Sequence, residues 1–339
     1  MNSVGKILVL GYFGFNTNQL DGQTVKTRDV YRLACDTYES VDNYDTEDFK
    51  YSKLSILKMF WKVITCDTLM YLPAHNNLKY IFPIIYFLSV VFRFKIHYFV
   101  VGGWLREYLV GLPMHRRMLK RISGIHVETK RLKNELEESY NYANVDVFPN
   151  FRFYDFTPSH TNHTKLCLVF MARINKLKGL DWIFSLANYI ATHNLSDKFD
   201  LTFYGPIFKD DQEYFESEIQ KYSFAKYAGP LQPNDIYSAL NNHDVLLLPT
   251  HYYTEGLPGS IVDAYISGIP VIVTEWKHSH EFIDDGYSGF IIPFENGVEE
   301  LIHKVMYLEE NRDVLNQLQQ NVLNKRMEFL PPSLKDFIE

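Results

Sequence analysis

The sequence predicts an α/β protein made of two doubly wound domains. A chain of 339 residues exceeds the usual size of one core, and it divides most simply into two domains of about 150 to 180 residues. Short apolar runs alternate with longer segments of helical period along the whole chain, which is typical of parallel sheets covered by helices. Because ligands bind beyond the carboxyl ends of parallel strands, two such domains predict a ligand cleft between them.

The predicted strands fall into two series with a break between them. In the first series they lie at residues 6–11, 68–73, 96–103, 125–128 and 145–149. In the second they lie at residues 165–172, 199–205, 226–229, 244–249, 270–274 and 289–293. Residues 151–164 are polar, contain Pro158 and show neither period, which predicts a linker. We therefore expect domains at 1–150 and 165–320, followed by a C-terminal helix at 321–339 that packs back on the first domain.

Charge and cysteine content narrow the class of protein. The formal net charge of −7 disfavours a nucleic-acid-binding protein, because affinity for the phosphate backbone requires a basic surface. The three cysteines are far apart and have no C-x-x-C spacing, so neither a disulfide framework nor a zinc site is indicated. The apolar run near the N-terminus is too short for a signal-peptide core. A cytoplasmic protein is expected.

Two segments of the first half raise the question of membrane contact. Residues 81–92 are almost entirely apolar but too few to cross a bilayer, so they predict a buried helix, with an interfacial helix as the alternative. Residues 115–133 are rich in Lys and Arg. That run predicts either a solvated helix face or a patch that contacts an anionic membrane.

A candidate phosphate site follows the strand at 165–172. Arg173 and Lys178 lie five residues apart in the loop after this strand, where two cations can clamp a diphosphate. A solvated surface pair is the alternative.

The segment HYYTEGLPGSIVDAYISGIPVI, residues 251–272, predicts a loop, a helix and the next strand. Pro258 marks the first turn of a helix that we expect at 259–267, ended by Gly268. Backbone N–H groups at the start of that helix favour a phosphate. Glu255 precedes the helix and Asp263 lies about one turn into it, where a carboxylate can accept hydrogen bonds from a ribose. Alternatively, Asp263 is a dipole partner and Glu255 a surface charge.

Four segments of the second half follow one another: ARINKLKG, FYGP, YAGPLQPNDIYSALNNHDVLLLPTHYYTEGLPGSIVDAYISGIPVIVT and DDGYSGFIIP. In their order and spacing they resemble the C-terminal domain of retaining, nucleotide-sugar-dependent glycosyltransferases of family 4. The resemblance implies a GT-B fold, in which two Rossmann-like domains hold the donor between them, usually without a metal or other cofactor.

The resemblance also implies roles for particular residues. The diphosphate-binding Arg and Lys fall on Arg173 and Lys178, and Glu255 falls on the glutamate that contacts the transferred sugar. The second glutamate of the family motif falls on Asp263, which is one methylene shorter. The remaining donor-binding positions are Gly205, Leu231, Gly256, Leu257, Pro258, Gly259 and Ser260.

In the first half, the loop after the first strand is expected to face the cleft. GYFGFN does not match the dinucleotide fingerprint, and the resemblance places Gly14 and Gly22 near the diphosphate. An ordinary connecting loop is the alternative. The candidate acceptor-binding residues are Asp21, Gln23, Lys26, His75 and Trp104.

The predicted function is retaining transfer of a sugar from a nucleotide-diphosphate donor, such as a UDP-sugar, to a hydroxyl of a glycan or lipid-linked glycan in capsule or polysaccharide assembly. The enzyme is expected in the cytoplasm, and association with the inner face of the cell membrane is left open. No metal site is predicted, because the acidic pairs at 210–211 and 284–285 lie in apparent turns without further ligands. The alternatives are a nucleotide-sugar epimerase and an inactive nucleotide-sugar-binding subunit.

Overall fold

The computed structural model describes residues 5–17, 21–159 and 163–339, and the chain divides into two compact units. Unit 1 comprises Met1–Phe153 and Pro331–Glu339, and unit 2 comprises Tyr154–Leu330. Each unit is built on a parallel sheet of six strands with helices packed on it, so the predicted α/β class is confirmed.

The sheet of unit 1 has the strand order β2-β1-β3-β4-β5-β6. Its strands are β1 (Ile7–Gly11), β2 (Val41–Asp45), β3 (Thr68–Leu72), β4 (Lys95–Phe99), β5 (Gly124–Val127) and β6 (Val145–Val147). Its first helices are α1 (Gly22–Thr37), α2 (Ser55–Ile64), α3 (His75–Tyr80), α4 (Phe82–Phe92), α5 (Leu105–Tyr108), α6 (Pro113–Leu119) and α7 (Lys130–Tyr140). Every residue of β1 and β3 is buried, as expected for inner strands covered on both faces.

The sheet of unit 2 has the strand order β12-β11-β10-β7-β8-β9. Its strands are β7 (Leu166–Met171), β8 (Phe199–Tyr204), β9 (Ala225–Tyr227), β10 (Val245–Leu248), β11 (Val271–Thr274) and β12 (Gly289–Ile292). Its helices are α8 (Leu180–Thr192), α9 (Gln212–Ile219), α10 (Ile236–Leu240), α11 (Gly259–Ile266), α12 (Val298–Glu310) and α13 (Arg312–Lys325).

The last residues of the chain belong to unit 1. After the pair Pro331-Pro332, a four-residue helix α14 (Lys335–Ile338) completes a core cluster of unit 1 with Leu334 and Ile338. The ring of Phe337 meets that of Phe148 edge-on, with centroids 4.9 Å apart. The regular helix α13 ends at Lys325, a 3₁₀ segment follows at Arg326–Phe329, and Leu330 is extended, which is the conformation favoured before a proline.

Helix α4 forms where the apolar segment 81–92 predicts a helix, but the expectation that it is buried is wrong. Only Phe82 and Ile85 of this helix are buried. Large apolar side chains on its other faces are exposed: Ile84, Phe87, Val90, Val91 and Phe92. Among the described residues, every helix falls short of the length and apolarity that a bilayer crossing needs.

Candidate functional site

The loops after β7 and β10 are held together at the carboxyl edge of the unit 2 sheet. These strands are parallel neighbours, so both loops leave the same edge. The backbone N–H of His251 donates to the carbonyl of Leu177 at 2.8 Å. Gly179 has φ +83°, and a Cβ there would lie 2.0 Å from the carbonyl oxygen of Pro249. Only glycine allows this approach of the two loops.

This approach brings Lys178 and Glu255 into contact. The Lys178 ammonium donates to Oε2 of Glu255, and the Thr250 hydroxyl lies 3.2 Å from the same oxygen. The side chains of Lys178 and Glu255 are 22% and 15% exposed, so a ligand can still reach both groups. The structure therefore joins two predicted site residues that are far apart in the sequence.

Arg173 lies in the same loop as Lys178, two residues after the end of β7, and its side chain is exposed. The next residue, Ile174, is buried and pairs with Ile207 as an isolated parallel bridge. The loop is thus anchored to the segment after β8 directly beside Arg173.

Helix α11 begins where its sequence predicts, at Gly259. A hydrogen bond from a distant side chain holds the segment that precedes it. The indole N–H of Trp276 donates to the carbonyl of Gly256 at 3.2 Å. Gly256, Leu257 and Pro258 are buried, and Ser260 is half-buried. The first-turn N–H groups of a helix have no acceptor within the helix, so this end favours an anion.

Asp263 lies in the middle of α11 and is only 6% exposed. Its backbone carbonyl accepts hydrogen bonds from the N–H of Ser267 at 3.0 Å and from the hydroxyl of Ser267 at 2.7 Å. The predicted contact of its carboxylate with a ribose stays a prediction.

Gly205 and Leu231 follow the neighbouring strands β8 and β9. Gly205 has φ +128°, and a Cβ there would lie 1.9 Å from the carbonyl oxygen of Ala172. Its N–H donates to the carbonyl of Gly229 at 3.1 Å, two residues before the half-buried Leu231. These two predicted donor-binding positions thus adjoin the loop that carries Arg173.

The sequence reasoning missed a second polar pair in this region. Nε2 of His251 lies 3.0 Å from Oδ1 of Asp181, which is in the first turn of α8. Partial burial acts to raise the pKa of Asp181, but the hydrogen bond and charge of His251 outweigh it and lower that pKa. The position of His251, two residues after the predicted strand at 244–249, was the available signal.

In unit 1, two carboxylates hold the loop after β1. Asp45 is the last residue of β2, and Glu47 lies two residues after it. Asp45 accepts hydrogen bonds from the backbone N–H groups of Phe13 and Phe15 at 3.0 and 3.1 Å. Glu47 accepts from the N–H of Asn16 at 3.0 Å and from the hydroxyl of Thr17 at 2.6 Å. Neither carboxylate was among the predicted site residues.

Gly14 lies within this loop with φ +63° and is buried. Arg28 of α1 donates to the carbonyls of Phe13 and Gly14 at 2.8 and 3.0 Å. The predicted glycine position is therefore fixed from both sides.

Asp21, Gly22 and Gln23 lie at the start of α1. Asp21 is the N-cap of this helix and forms a capping box with Thr24, and the exposed Gly22 is the first helical residue. The side-chain amide of Gln23 donates to the carbonyl of Leu72, at the carboxyl end of β3, at 3.0 Å. Asp21 thus has a structural role as a helix cap.

Lys26 is buried and paired. Its ammonium lies 2.7 Å from Oε1 of Glu128, with both side chains 2% exposed, and it also donates to the carbonyl of Val100 at 3.0 Å. This burial argues against the predicted direct contact of Lys26 with an acceptor.

His75 and Trp104, predicted separately, are brought together. They follow β3 and β4, and their ring centroids are 3.6 Å apart. The Trp104 indole N–H donates to the carbonyl of Val101 at 2.6 Å, and partial burial lowers the pKa of His75. The acceptor-binding role of this pair stays a prediction.

The basic segment 115–133 does not form one charged surface. His115 is buried, and Nε2 of its ring lies 3.0 Å from the carbonyl of Lys79. Arg131 and Lys133 pair with acidic residues of α7, at 3.3 and 3.6 Å. Part of the run is therefore neutralised or buried within unit 1.

Within the described ranges, one group has metal-ligand chemistry: His163, Cys167 and Asp244, with ligand atoms within 4.8 Å of one another. Asp244 already accepts from the backbone N–H of Cys167 at 2.7 Å and lies 3.1 Å from Nδ1 of His163. Burial, with the charge of Asp244, raises the pKa of the Cys167 thiol to about 11, which disfavours a thiolate ligand. The group lies at the start of β7, at the opposite edge of the sheet from Lys178.

Comparison with known proteins gives a family match. The model of the family described as Glycosyl transferases group 1 matches residues 153–325. A Klebsiella pneumoniae protein, described as an uncharacterized 41.2 kDa protein in the cps region, is 26% identical over 198 residues, covering 57% of this chain and 52% of that protein. The Escherichia coli UDP-Gal:alpha-D-GlcNAc-diphosphoundecaprenol alpha-1,3-galactosyltransferase is 30% identical over 92 residues, covering 27% of this chain and 23% of that protein. The matches therefore span about half the length of these relatives or less.

The crystal structure of Anabaena HepE in complex with UDP and glucose resembles the present fold with a TM-score of 0.73 at 14% identity. The similarity covers 98% of this chain and 97% of that chain. It confirms the predicted GT-B fold with its two Rossmann-like domains.

Proposed function

This chain belongs to the glycosyl transferases group 1 family, and from that premise we propose that it transfers a hexose-type sugar from a nucleoside diphosphate donor to a hydroxyl of a glycan. The observation that carries the proposal is the contact between Lys178 and Glu255 at the carboxyl edge of the unit 2 sheet. This edge is where α/β sheets bind ligands. It presents a cation, a carboxylate and a helix N-terminus together.

In the proposed reaction, Arg173, Lys178 and the first amides of α11 bind the diphosphate of the donor. They stabilise the negative charge that grows on the leaving phosphate in the transition state. Glu255 faces the transferred sugar and stabilises the positive charge that develops at its anomeric carbon. Asp263 binds the ribose, and Gly205 and Leu231 border the base.

We propose a retaining reaction of the family 4 type. The bond between the anomeric carbon and the phosphate oxygen breaks, and the acceptor oxygen forms its bond on the same face of the sugar. The departing phosphate oxygen takes the acceptor proton. This route requires no enzyme nucleophile, metal or other cofactor, and we expect full activity in the presence of EDTA.

Two relatives support a UDP-sugar donor and a polysaccharide product. HepE was crystallised with UDP and glucose, and the name of the E. coli enzyme specifies UDP-Gal and a diphosphoundecaprenol-linked acceptor. The K. pneumoniae relative is described by its place in the cps region. We therefore propose a lipid-linked acceptor and action at the inner face of the membrane.

The proposed site is tested by single substitutions of its charged residues, compared with the substitution of a nearby exposed lysine. Glu255→Ala and Lys178→Ala should each lower transfer by more than about tenfold, because each removes a charge that acts in the transition state. Lys176→Ala, two residues away and exposed over the ring of Tyr214, should change it little. Near-wild-type kinetics in both site variants would exclude the proposed site.

Donor binding and product analysis separate the alternatives. UDP and UDP-sugars should raise the melting temperature, since a ligand of the folded state stabilises it. Release of UDP with an altered free sugar and no acceptor would indicate an epimerase. Binding without hydrolysis or transfer would indicate an inactive subunit.

A further inference from the structure

A surface of unit 1 that the proposed function leaves unexplained is apolar and is formed by α2 and α4. Leu57 and Trp61 of α2 are 63% and 67% exposed, and Phe87 of α4 is 65% exposed. A groove between the two helices is lined by Phe60, Leu88 and Phe92, together with Leu57, Trp61 and Ile84. We call these exposed side chains of α2 and α4 the apolar face. Such a face marks an interaction site, because exposed apolar patches are costly in water.

The charge of the surrounding chain is complementary to an anionic partner. Residues 49–111, which precede the basic segment 115–133, contain eight Lys and Arg but only two acidic residues, Asp67 and Glu107, although the whole chain has a net charge of −7. Lys53 and Lys58, beside and on α2, are exposed, as is Arg93, the C-cap of α4. No ion pair of these three cations is found among the described residues.

From these observations we infer that the apolar face docks unit 1 on the headgroup region of an anionic lipid bilayer. An apolar helix of eleven residues is too short to cross a bilayer but can lie in its interface. Trp61 and the exposed Tyr80 next to α4 are residue types that concentrate at that depth. This inference rests on the proposed function only for its purpose, which is to bring the enzyme to a lipid-linked acceptor.

The same charges disfavour the obvious alternative, a second copy of this chain. Two apolar faces packed together would bring the surrounding cations into proximity, and like charges across an interface oppose association. The apolar face, and not the basic segment 115–133, is therefore the main contact with the anionic membrane. His115 of that segment is buried, and Arg131 and Lys133 are paired.

The experiment measures flotation of the full-length protein with vesicles of phosphatidylcholine alone or mixed with phosphatidylglycerol. The wild type should float with the mixed vesicles and weakly with the neutral ones. The triple variant Leu57→Ser, Trp61→Ser and Phe87→Ser should bind the mixed vesicles at least about tenfold more weakly, because it removes the inserted side chains. Lys53→Glu with Lys58→Glu should also weaken binding, through the lost attraction to the anionic surface.

Matched controls lie in unit 2. The control triple replaces three exposed apolar residues, Tyr287, Tyr307 and Met327, with serine, and the control pair is Lys209→Glu with Lys226→Glu. Both should float like the wild type. Unchanged melting temperature and UDP binding in every variant show that the fold and the donor site are intact.

Three results would overturn the inference. The first is flotation of the apolar triple at the wild-type level, and the second is equal binding of the wild type to neutral and anionic vesicles. The third is a dimer of the wild type that fails to bind vesicles and that the triple variant converts to a monomer, which would assign the face to self-association. Failure of the proposed function would instead appear as donor binding or transfer that is indifferent to Glu255 and Lys178.

Discussion

The loop after β1 in unit 1 and the loops after β7 and β10 in unit 2 each lie at the carboxyl edge of their own sheet, but different contacts hold them in place. In unit 1, the buried carboxylates Asp45 and Glu47 accept the loop N–H groups, so their charge serves to hold the backbone. In unit 2, glycine contacts and backbone hydrogen bonds hold the loops, as at Gly179 and Leu177. Among the described residues, the side chains of Lys178 and Glu255 contact each other and the Thr250 hydroxyl and hold no backbone N–H or carbonyl group.

The difference indicates which charges are available for a ligand. A carboxylate that accepts several backbone N–H groups has its position fixed and its charge satisfied by the protein, whereas a half-buried ion pair at a sheet edge can exchange its partner for a charged ligand. We therefore expect substitutions of the unit 1 charges to act mainly on stability. Substitutions around Lys178 and Glu255 should act mainly on catalysis.

The largest effect is expected at the buried pair of unit 1. Lys26→Met removes the ammonium that lies 2.7 Å from the buried carboxylate of Glu128, which should lower the free energy of unfolding by about 3 to 5 kcal/mol. The exposed control Lys58→Met should change it by less than about 0.5 kcal/mol. Denaturant unfolding of the full chain measures both. If Lys26→Met folds normally and instead raises the KM for the acceptor, Lys26 belongs with the ligand-binding charges and the comparison fails.

The next largest effect is expected at Gly179 in unit 2. Gly179→Ala combines a left-handed φ with a clash against the Pro249 carbonyl, which should cost about 3 kcal/mol and displace Lys178 from Glu255. Gly229→Ala has a similar φ of +80° but nothing within 4 Å of the new Cβ, so it should cost only about 1 kcal/mol. Thermal unfolding and transfer kinetics are measured together. Equal losses in the two variants would show that the close approach of the loops is unimportant.

A smaller effect is expected at Asp45. Asp45→Ala leaves the N–H groups of Phe13 and Phe15 without their acceptor and should lower the free energy of unfolding by about 2 kcal/mol. Asp48→Ala is the control, since among the described residues the Asp48 carboxylate receives a single hydrogen bond, from the side-chain amide of Asn16 at 3.4 Å. Native-state hydrogen exchange of the loop amides distinguishes the two variants. Wild-type protection in Asp45→Ala would contradict the assignment.

The smallest effect is a pH dependence from Glu47. Desolvation acts to raise the pKa of Glu47, but hydrogen bonds from Thr17, Asn16 and Tyr12 outweigh it and hold that pKa below 4.5. A lowered pKa means that the ionised group stabilises the folded state above the unfolded-state value, and that this contribution is lost as the pH falls through the folded-state value. The melting-temperature difference between the wild type and Glu47→Gln should therefore shrink as the pH falls below about 4.5. A melting-temperature difference that stays constant as the pH falls below about 4.5 would refute a stabilising role of the ionised Glu47.

The sequence alone predicted the fold class through the apolar runs that became β1, β3, β7 and β10. It missed β2, because VDNYD is mostly polar and reads as neither a buried run nor a clear alternation. That omission concealed Asp45 and Glu47, which lie at the end of this strand and just after it. Predicting the strand would have placed both carboxylates at the ligand-binding edge of the sheet.

The candidate site was predicted in part, because most of its residues directly follow strands that the sequence did predict. Arg173, Lys178, Glu255 and the start of α11 follow strands, and residues after parallel strands must gather at one edge. The pairing of Lys178 with Glu255 was not predictable, because it depends on β7 lying beside β10. The contacts of Thr250 and His251 follow from that strand order.

Local pattern therefore determined where strands and helices form, since the periods of apolar residues and the turn residues act within a few positions. Tertiary structure decided which charges meet and which apolar surfaces remain exposed. The sequence suggests that Lys26 is a surface cation of its helix, but in the structure it is buried against Glu128. The sequence likewise suggests that α4 is a core helix, but only Phe82 and Ile85 of it are buried. Both outcomes depend on segments far apart in the chain, whose contacts no short window of sequence contains.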